Sequence, residues 1–425
     1  MCQFESRLTS DGFGGFGLIK NKRYSTILLD NVTIHSIYID PNSGFRKSYD
    51  QFIEDLSGTG LEFGDQAYDI MVLVSRAMFH GQNLKLGETK KRLRTNRVVA
   101  PTFQVFRQKV IDSAGTISMA TSGTSGPAKQ VVQSVKQLLR GVRMGPRHFS
   151  DRWGLCFPLN RFAGLQVFLQ AVLNQNTVVN LFGYGQPRVH RNLMDYQVTH
   201  ISATPTFYRL LCAERTRMLP HAYVKQVTCG GECLDDSTLQ GIREVFPEAR
   251  ICNIYASTEF GSLLVSNDNC FRIPDYYRDK VRVDEGQLLV HQSLLAESEK
   301  RAVDSSGFCQ TGDMCQVVSD DPLTVRFVAR QSDFFTVGGA NVNPYQVEDC
   351  VKQLPEVKDA LAFPVPNPVT GNLVGCEIVL KENCSLGSQQ VRQWLMTQLE
   401  SFQIPRIINF VGSIDRNETG KKVRR

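Results

Sequence analysis

Five short segments hold residue types that can do chemistry at their spacing. Thr121-Ser122-Gly123-Thr124-Ser125-Gly126-Pro127-Ala128-Lys129 follows the strand-like Thr116–Ala120. Its first six positions are two glycines and four hydroxyl residues, a loop whose backbone N–H groups can turn inward on an anion. The hydroxyls add donors and Lys129 adds charge. No Gly-Lys-Ser/Thr follows, so it is not a Walker loop, and a plain surface turn stays open as the other reading. Asn253-Ile254-Tyr255-Ala256-Ser257-Thr258-Glu259 ends a strand-like run. The Thr258 hydroxyl beside the Glu259 carboxylate suits Mg²⁺ held together with phosphate oxygens, and Tyr255 offers a flat ring to a base. Thr311-Gly312-Asp313 and Arg330-Gln331-Ser332-Asp333 flank a strand-forming stretch, Thr324–Val328. One hairpin could bring Arg330 back to Asp313, whose carboxylate would accept from a ribose diol; taken singly, each is equally a surface salt-bridge partner. The last segment is Asn417-Glu418-Thr419-Gly420-Lys421-Lys422-Val423-Arg424-Arg425, which by itself reads as a solvated basic end.

The elements that must hold these segments alternate. Apolar, β-rich runs at Leu155–Pro158, Thr177–Leu181, Thr199–Ala203 and Arg250–Tyr255 alternate with helical stretches at Val131–Arg140, Leu165–Val172 and Asp235–Val245. That pattern predicts an α/β fold with buried strands. Earlier, Tyr24–Val32 reads as a strand and Tyr68–Phe79 as a buried helix. Gly286–Val290 and Leu323–Val328 predict a more antiparallel, barrel-like β region. Helices over Pro344–Leu354 and Ser388–Phe402, with strands at Ala360–Pro364 and Val374–Leu380, predict a compact α+β unit at the C-terminal end.

Composition narrows the class. The chain has 425 residues, 42% of them hydrophobic and 21% charged, enough for a sizeable core. No run of about 18 apolar residues occurs, so no membrane span is expected. Residues 1–20 show no secretory pattern. The twelve cysteines are scattered, without metal-knuckle spacing, and read as buried, reduced thiols of a cytoplasmic protein. The net charge of +6 belongs to the first 332 residues, because the ten basic and ten acidic residues after them cancel. Part of it is Lys85, Lys90, Lys91, Arg92, Arg94 and Arg97, a solvated face or a dock for an acidic partner. Without interleaved aromatics the run does not suggest nucleic acid.

In this order and at these separations the segments resemble the adenylate-forming superfamily of acyl- and aryl-CoA ligases, peptide-synthetase adenylation domains and luciferases. Thr204-Pro205-Thr206 resembles the family's T-x-x-P step, and Gly230-Gly231-Glu232 its GGE segment. Tyr255 to Glu259 resembles Y-G-x-T-E, and Thr311–Asp313 the T-G-D signature. Residues 329–348 (ARQSDFFTVGGANVNPYQVE) follow the hinge segment, and the tail follows N-x-x-G-K-x-x-R. The resemblance covers about three-quarters of the chain, from Ile117 onward.

That resemblance implies a large N-terminal domain, 1–331, with a shortened part at 1–115, and a small mobile C-terminal domain, 332–425. It implies ATP and Mg²⁺ as cofactors and a small carboxylic acid as substrate. The acid is first joined to AMP with release of pyrophosphate, then passed to a thiol. Thr121, Ser122, Gly123, Thr124, Ser125, Gly126 and Lys129 would hold the β- and γ-phosphates. Glu259 would bind Mg²⁺, with Thr258 near the α-phosphate. Tyr255 would stack on adenine beside Gly231 and Glu232, and Asp313 with Arg330 would hold the ribose. Lys421 would bridge the acid and the α-phosphate. Ser332 and Asp333 form the hinge, and Gly338 and Gly339 would line the thiol tunnel.

Several departures qualify the match. Pro127 and Gln130 change the usual loop, and Ser332 stands where aspartate or lysine is typical. The short N-terminal part leaves room for an open pocket or a homodimer interface. Pro158–Gly164 resembles the P-L-F-H-x-x-G segment of acyl- and aryl-CoA ligases, making Asn160, Arg161 and Gly164 candidate pocket residues. No aspartate is available there for an amino-acid substrate. The thiol is coenzyme A, or alternatively the phosphopantetheine of an acidic carrier protein. A non-thiol acceptor and a non-catalytic nucleotide-binding relative are the other readings.

Overall fold

In this computed structural model the structure describes residues 36–58, 65–86, 101–121, 129–213, 220–296, 301–416, 422 and 423, without the side chains of Thr121 and Lys129. The predicted strand Tyr24–Val32 and most of the basic run, Lys90 to Arg97, lie outside them.

Ser36–Ile39 (β1) and Arg46–Ser48 (β2) begin the largest sheet. Leu84–Lys85 (β3), Thr116–Thr121 (β4) and Lys129–Ser134 (β5) form a separate three-stranded sheet. Arg152–Leu155 (β6), Thr177–Asn180 (β7), His200–Ala203 (β8), Gln226–Gly230 (β9), Arg250–Ser257 (β10) and Gly261–Ser266 (β11) complete the large sheet in the order β11-β10-β9-β8-β6-β7-β1-β2. Its six inner strands run parallel, and β11 and β2 pair antiparallel at the edges. Parallel strands are covered on both faces, which is why they read as unbroken apolar runs rather than as alternation. Helices Phe162–Val172, Gln186–Asp195, Pro205–Ala213 and Asp236–Val245 connect them.

One predicted helix is corrected. The helix read over Val131–Arg140 begins as β5, and only Val135–Leu138 is helical, followed by a 3₁₀ turn at Leu139–Gly141. Val131, Gln133 and Val135 are buried while their neighbours are not, a period of two that suits a strand. Ser134 then caps the short helix, reciprocally with Gln137.

Phe271–Arg272 (β12), Val281–Asp284 (β13), Gln287–His291 (β14), Phe308–Asp320 (β15) and Leu323–Arg330 (β16) form a five-stranded antiparallel sheet. This is the β region expected from Gly286 onward. A 3₁₀ turn, Gln331–Asp333, leads to the hairpin Phe335–Val337 (β17) and Ala340–Val342 (β18). The helix Pro344–Lys352 follows, then the sheet of Val357–Asn367 (β19), Gly371–Leu380 (β20) and Ile407–Phe410 (β21). These elements share their own core, including Val347, Val351, Ala360, Cys376, Ile378 and Leu395, as expected for an α+β unit.

Eleven cysteines are described and all are free. Eight are buried, Cys270 is half-buried, and Cys233 and Cys384 are exposed, so the expectation of buried thiols holds for most. Among the described residues no helix is long and apolar enough to cross a membrane.

Candidate active site

Three of the singled-out segments leave the same edge of the large sheet. Thr204-Pro205-Thr206 follows β8, Gly231-Glu232 follows β9, and Tyr255 to Glu259 ends β10. These strands are parallel neighbours, with Ala203 opposite Cys229 and Gly230 opposite Ile254. Asn160 and Arg161 lie beyond the same end of β6. The carboxyl ends of parallel strands are where open α/β sheets bind ligands.

The antiparallel sheet supplies the next part. β15 and β16 pair with Asp313 opposite Arg330, so the hairpin expected from the sequence forms. Arg330 Nε donates to Asp313 Oδ1 at 3.1 Å, and the Tyr255 hydroxyl donates to Oδ2 at 2.6 Å. The Thr311 hydroxyl accepts from the Asp313 amide at 3.1 Å, fixing the turn. Burial, and then the charge of Asp313, push the Tyr255 phenol well above its ordinary range, so it remains a donor. The Tyr255 ring stacks on Phe327 with centroids 4.0 Å apart and planes 18° from parallel. Phe327 therefore backs one face of the ring. Sequence reasoning missed it, although it sits three residues before Arg330 on the same strand.

The Thr258–Glu259 turn is held through its backbone. Gln133 of β5, 1% exposed, donates from Nε2 to the Thr258 carbonyl at 2.6 Å. Ala296 N–H donates to the Glu259 carbonyl at 2.7 Å, and the Ser257 hydroxyl accepts from the Glu259 amide at 3.2 Å. The Glu259 carboxylate lies 3.5 Å from Arg301. Among the described residues no group of three or more His, Cys, Asp or Glu could hold a metal by itself. One carboxylate on a fixed turn, next to a hydroxyl, matches the way Mg²⁺ is held when phosphate oxygens and water complete its shell.

Glu232 has a second task. Its Oε2 accepts from the Thr206 amide at 3.1 Å, at the start of helix Pro205–Ala213, where negative charge is favoured. Gly231 is exposed and has φ of 83°, a conformation that glycine adopts at little cost.

β4 and β5 are joined in register, Thr121 opposite Lys129. Ser122, Gly123, Thr124, Ser125 and Gly126 fall between them and lie outside the described residues, as do the side chains of Thr121 and Lys129. Arg161 donates from Nη1 to the carbonyl of Ala120 at 2.8 Å. It thus braces the strand that enters this loop. Asn160 Oδ1 is buried and has no hydrogen-bond partner among the described residues.

Gly164 has no room for a side chain. A Cβ there would lie 2.3 Å from the Pro158 carbonyl oxygen and 2.8 Å from its carbon, both backbone atoms that cannot swing aside. Gly164→Ala is expected to destabilise by about 2 kcal/mol through overpacking. The clash outweighs the roughly 1 kcal/mol that alanine contributes over glycine in a helix. An unchanged melting temperature would show that the Pro158 turn yields.

In the following unit, Ser332 is exposed and Asp333 Oδ2 accepts from the Tyr345 hydroxyl at 2.8 Å. Gly338 and Gly339, with φ of 57° and 84°, form the tip of the β17–β18 hairpin and are exposed. The helix Pro344–Lys352 reaches back to the large sheet. Lys352 Nζ lies 3.4 Å from Asp235, which also pairs with Arg209, and 2.6 Å from Asp349 on its own helix. Burial pushes the Asp235 carboxyl up, but Lys352, Arg209, the Ser237 hydroxyl and the Thr238 amide hold it well below the usual carboxylate range. Lys421 lies outside the described residues.

The family of AMP-binding enzymes matches residues 106–294, and the C-terminal domain of AMP-binding enzymes matches residues 346–421. The rice (Oryza sativa subsp. japonica) protein named 4-coumarate–CoA ligase-like 4 is 27% identical over 72% of this chain and 61% of its own length. A 2-succinylbenzoate–CoA ligase of Staphylococcus epidermidis is 22% identical over 72% of this chain and 68% of its own. In three such plant and bacterial relatives the match spans 61%, 62% and 64% of the relative's length, so the chain corresponds to about three-fifths of them. The o-succinylbenzoate CoA synthetase of Bacillus subtilis, solved with its acyl-adenylate intermediate, has the same fold. Its TM-score is 0.66 at 16% identity, with 92% of this chain and 94% of that one covered. With the two matched domains in sequence, and the motifs of the first meeting at one sheet edge, the chain belongs to the adenylate-forming, AMP-binding enzyme family.

Proposed function

We propose that the protein is an ATP- and Mg²⁺-dependent carboxylic acid ligase that makes an acyl- or aryl-adenylate and passes the acyl group to coenzyme A. The observation that carries this reading is the assembly of Tyr255, Asp313 and Arg330 beside the Thr258–Glu259 turn. Tyr255 takes adenine, with Gly231 and Glu232 alongside. Asp313 and Arg330 take the ribose, since each Asp313 oxygen keeps a second acceptor site. Thr121, Ser122, Gly123, Thr124, Ser125, Gly126 and Lys129 cradle the terminal phosphates. Glu259 would hold Mg²⁺, which would supply positive charge to the phosphates.

Acid activation forms a bond between a substrate carboxylate oxygen and the α-phosphorus and breaks the α–β anhydride, releasing pyrophosphate. The chain's part is alignment and charge. Thr258 lies near the α-phosphate, and Lys421 screens two anions that otherwise repel at contact distance. The thiol then attacks the acyl carbon, AMP leaves with the bonding pair, and the thiol proton goes to solvent. The unit 332–425 turns about Ser332 and Asp333 between these steps, presenting Gly338 and Gly339 to the pantetheine arm. The curated relatives carry CoA ligase names, which favours coenzyme A over carrier-protein phosphopantetheine. The free cysteines support a reducing, cytoplasmic setting.

Pyrophosphate release measured with aliphatic, aromatic, dicarboxylic and amino acids, each with and without coenzyme A, tests this. One acid class should stimulate release and yield a CoA thioester by mass spectrometry. Release without a CoA adduct would reject coenzyme A as acceptor, and silence across the panel would reject the ligase reading.

A further inference from the structure

The segment Gly231 to Asp235 joins β9 to the helix Asp236–Val245. Strand pairing fixes its start, since Gly230 lies opposite Ile254, one residue before Tyr255 on the neighbouring strand β10. Beyond that point the segment leaves the sheet and is held by the helix Pro205–Ala213. Glu232 Oε2 accepts from the Thr206 amide at 3.1 Å, and Arg209 Nη2 donates to Asp235 Oδ2 at 2.5 Å. Thr206 and Arg209 are three residues apart and so are neighbours on one helix face. A single turn of helix therefore holds the segment twice.

Arg209 makes the fuller tie. Its Nε donates to the Thr238 hydroxyl at 3.2 Å, and its Nη1 lies 3.5 Å from the Thr206 hydroxyl. Burial opposes its charge, but Asp235, Asp359 and Glu232 outweigh burial and push its pKa above the ordinary arginine value. A guanidinium is a planar fork with donors in fixed directions, so partners on three sides are held at set positions. Asp235 in turn caps the helix Asp236–Val245, accepting from the Thr238 amide at 2.8 Å and the Ser237 hydroxyl at 2.6 Å. Arg209 thus locks the far end of the segment as strand pairing locks the near end.

We propose that Arg209 is a positioning residue for Gly231 and Glu232, setting how closely they approach an adenine ring on Tyr255. Two fixed ends four residues apart leave the segment few paths, and a path chosen in advance costs the nucleotide less to organise. Arg209 touches neither the base nor the reacting atoms in this role. The proposal rests on the reading of this sheet edge as an adenine-nucleotide site.

The test separates the base from the phosphates. Arg209→Gln removes the charge and the fork. Asp235 then keeps Lys352, the Ser237 hydroxyl and the Thr238 amide, so no buried anion is left alone. The Kd for AMP, measured by calorimetry, should rise about tenfold, the scale of one lost charge-assisted hydrogen bond. Inorganic tripolyphosphate, which has no base, should bind as it does to the wild type. In turnover the KM for ATP should rise by a similar factor, with kcat at saturating ATP within about twofold. Equal weakening of AMP and tripolyphosphate would show general damage and overturn the proposal, as would an unchanged Kd for AMP. Asp235→Asn keeps a good helix cap while weakening the same tie, and should shift AMP binding in the same direction. Its behaving as wild type would overturn the proposal even where Arg209→Gln fails to fold. A wild-type protein that binds no adenine nucleotide would sink both this role and the functional reading. Nucleotide binding by the wild type with unaffected variants would sink this role alone.

Discussion

Lys421→Ala is expected to lower acid-dependent pyrophosphate release by a factor on the order of a hundred to a thousand, the range for losing one preorganised group on developing charge. ATP binding should be nearly unchanged. The carboxylate and the α-phosphate are both anionic, and they must approach to bonding distance. In a site shielded from water their repulsion is far larger than in bulk solvent, and one ammonium between them offsets most of it. In the proposed function the ground-state nucleotide is held elsewhere, by Asp313, Arg330 and the 121–129 loop, so its affinity is not expected to depend on this lysine. Equilibrium nucleotide binding and single-turnover pyrophosphate release, measured on the same preparation, check both halves. A variant that retains release within about tenfold would remove Lys421 from the chemistry.

The second large effect is on stability. His200 and His221 are buried, 8% and 0% exposed, and each has its pKa pushed down to about 4. For His200 the chief cause is burial, partly opposed by Asp151 at 3.6 Å. For His221 it is burial, then His190, whose Nδ1 lies 2.7 Å from His221 Nε2. In the unfolded chain both titrate near the ordinary histidine value of about 6.5. The folded state therefore takes up its protons later than the unfolded state as pH falls. Their contribution is fully present above about pH 6.5, declines between that value and about 4, and is constant below. By pH 5 each histidine should have cost about 2 kcal/mol relative to pH 7.

Two paired carboxylates act outside this window. Asp235 and Asp359 are held below the ordinary carboxylate range, so the stability they contribute is lost only under about pH 4. Urea midpoints measured between pH 7 and 5 should fall steadily. His200→Gln should remove about half of the slope. A flat profile in the wild type would mean that the histidines are protonated in the folded protein.

The parts legible in the sequence were those that depend on local pattern. The Asp313–Arg330 pairing could be read because one tight turn separates two strands, and register follows from the turn. Four of the six inner strands of the large sheet, β6, β7, β8 and β10, stood out because burial on both faces leaves them mostly apolar. Val131 to Val135 misled because a short buried strand and a short helix share the same apolar content, and only the alternation tells them apart. Phe327, Gln133 and Arg209 carried no signal of their own. Each acquires its role from a partner far along the chain, Tyr255, Thr258 and Asp235 respectively, and a side chain's neighbours across a fold are not written in its own segment. Gly164 was visible, but the close approach of the Pro158 backbone to it was not, since a glycine that makes room for backbone looks the same in sequence as one that makes room for a ligand.

The contact of Lys352 with Asp235 bears on how freely the two regions can part. If the C-terminal unit swings away, Lys352 leaves Asp235 but carries Asp349 with it on the same helix. Asp235 stays behind with Arg209. Neither charge is stranded, so separation does not incur the penalty of an unpaired buried ion, several kcal/mol in the usual case. Under the proposed rotation the junction would work like a coupling in which each half keeps its own counterweight, holding the halves in register when they meet and parting without an unpaired charge on either side.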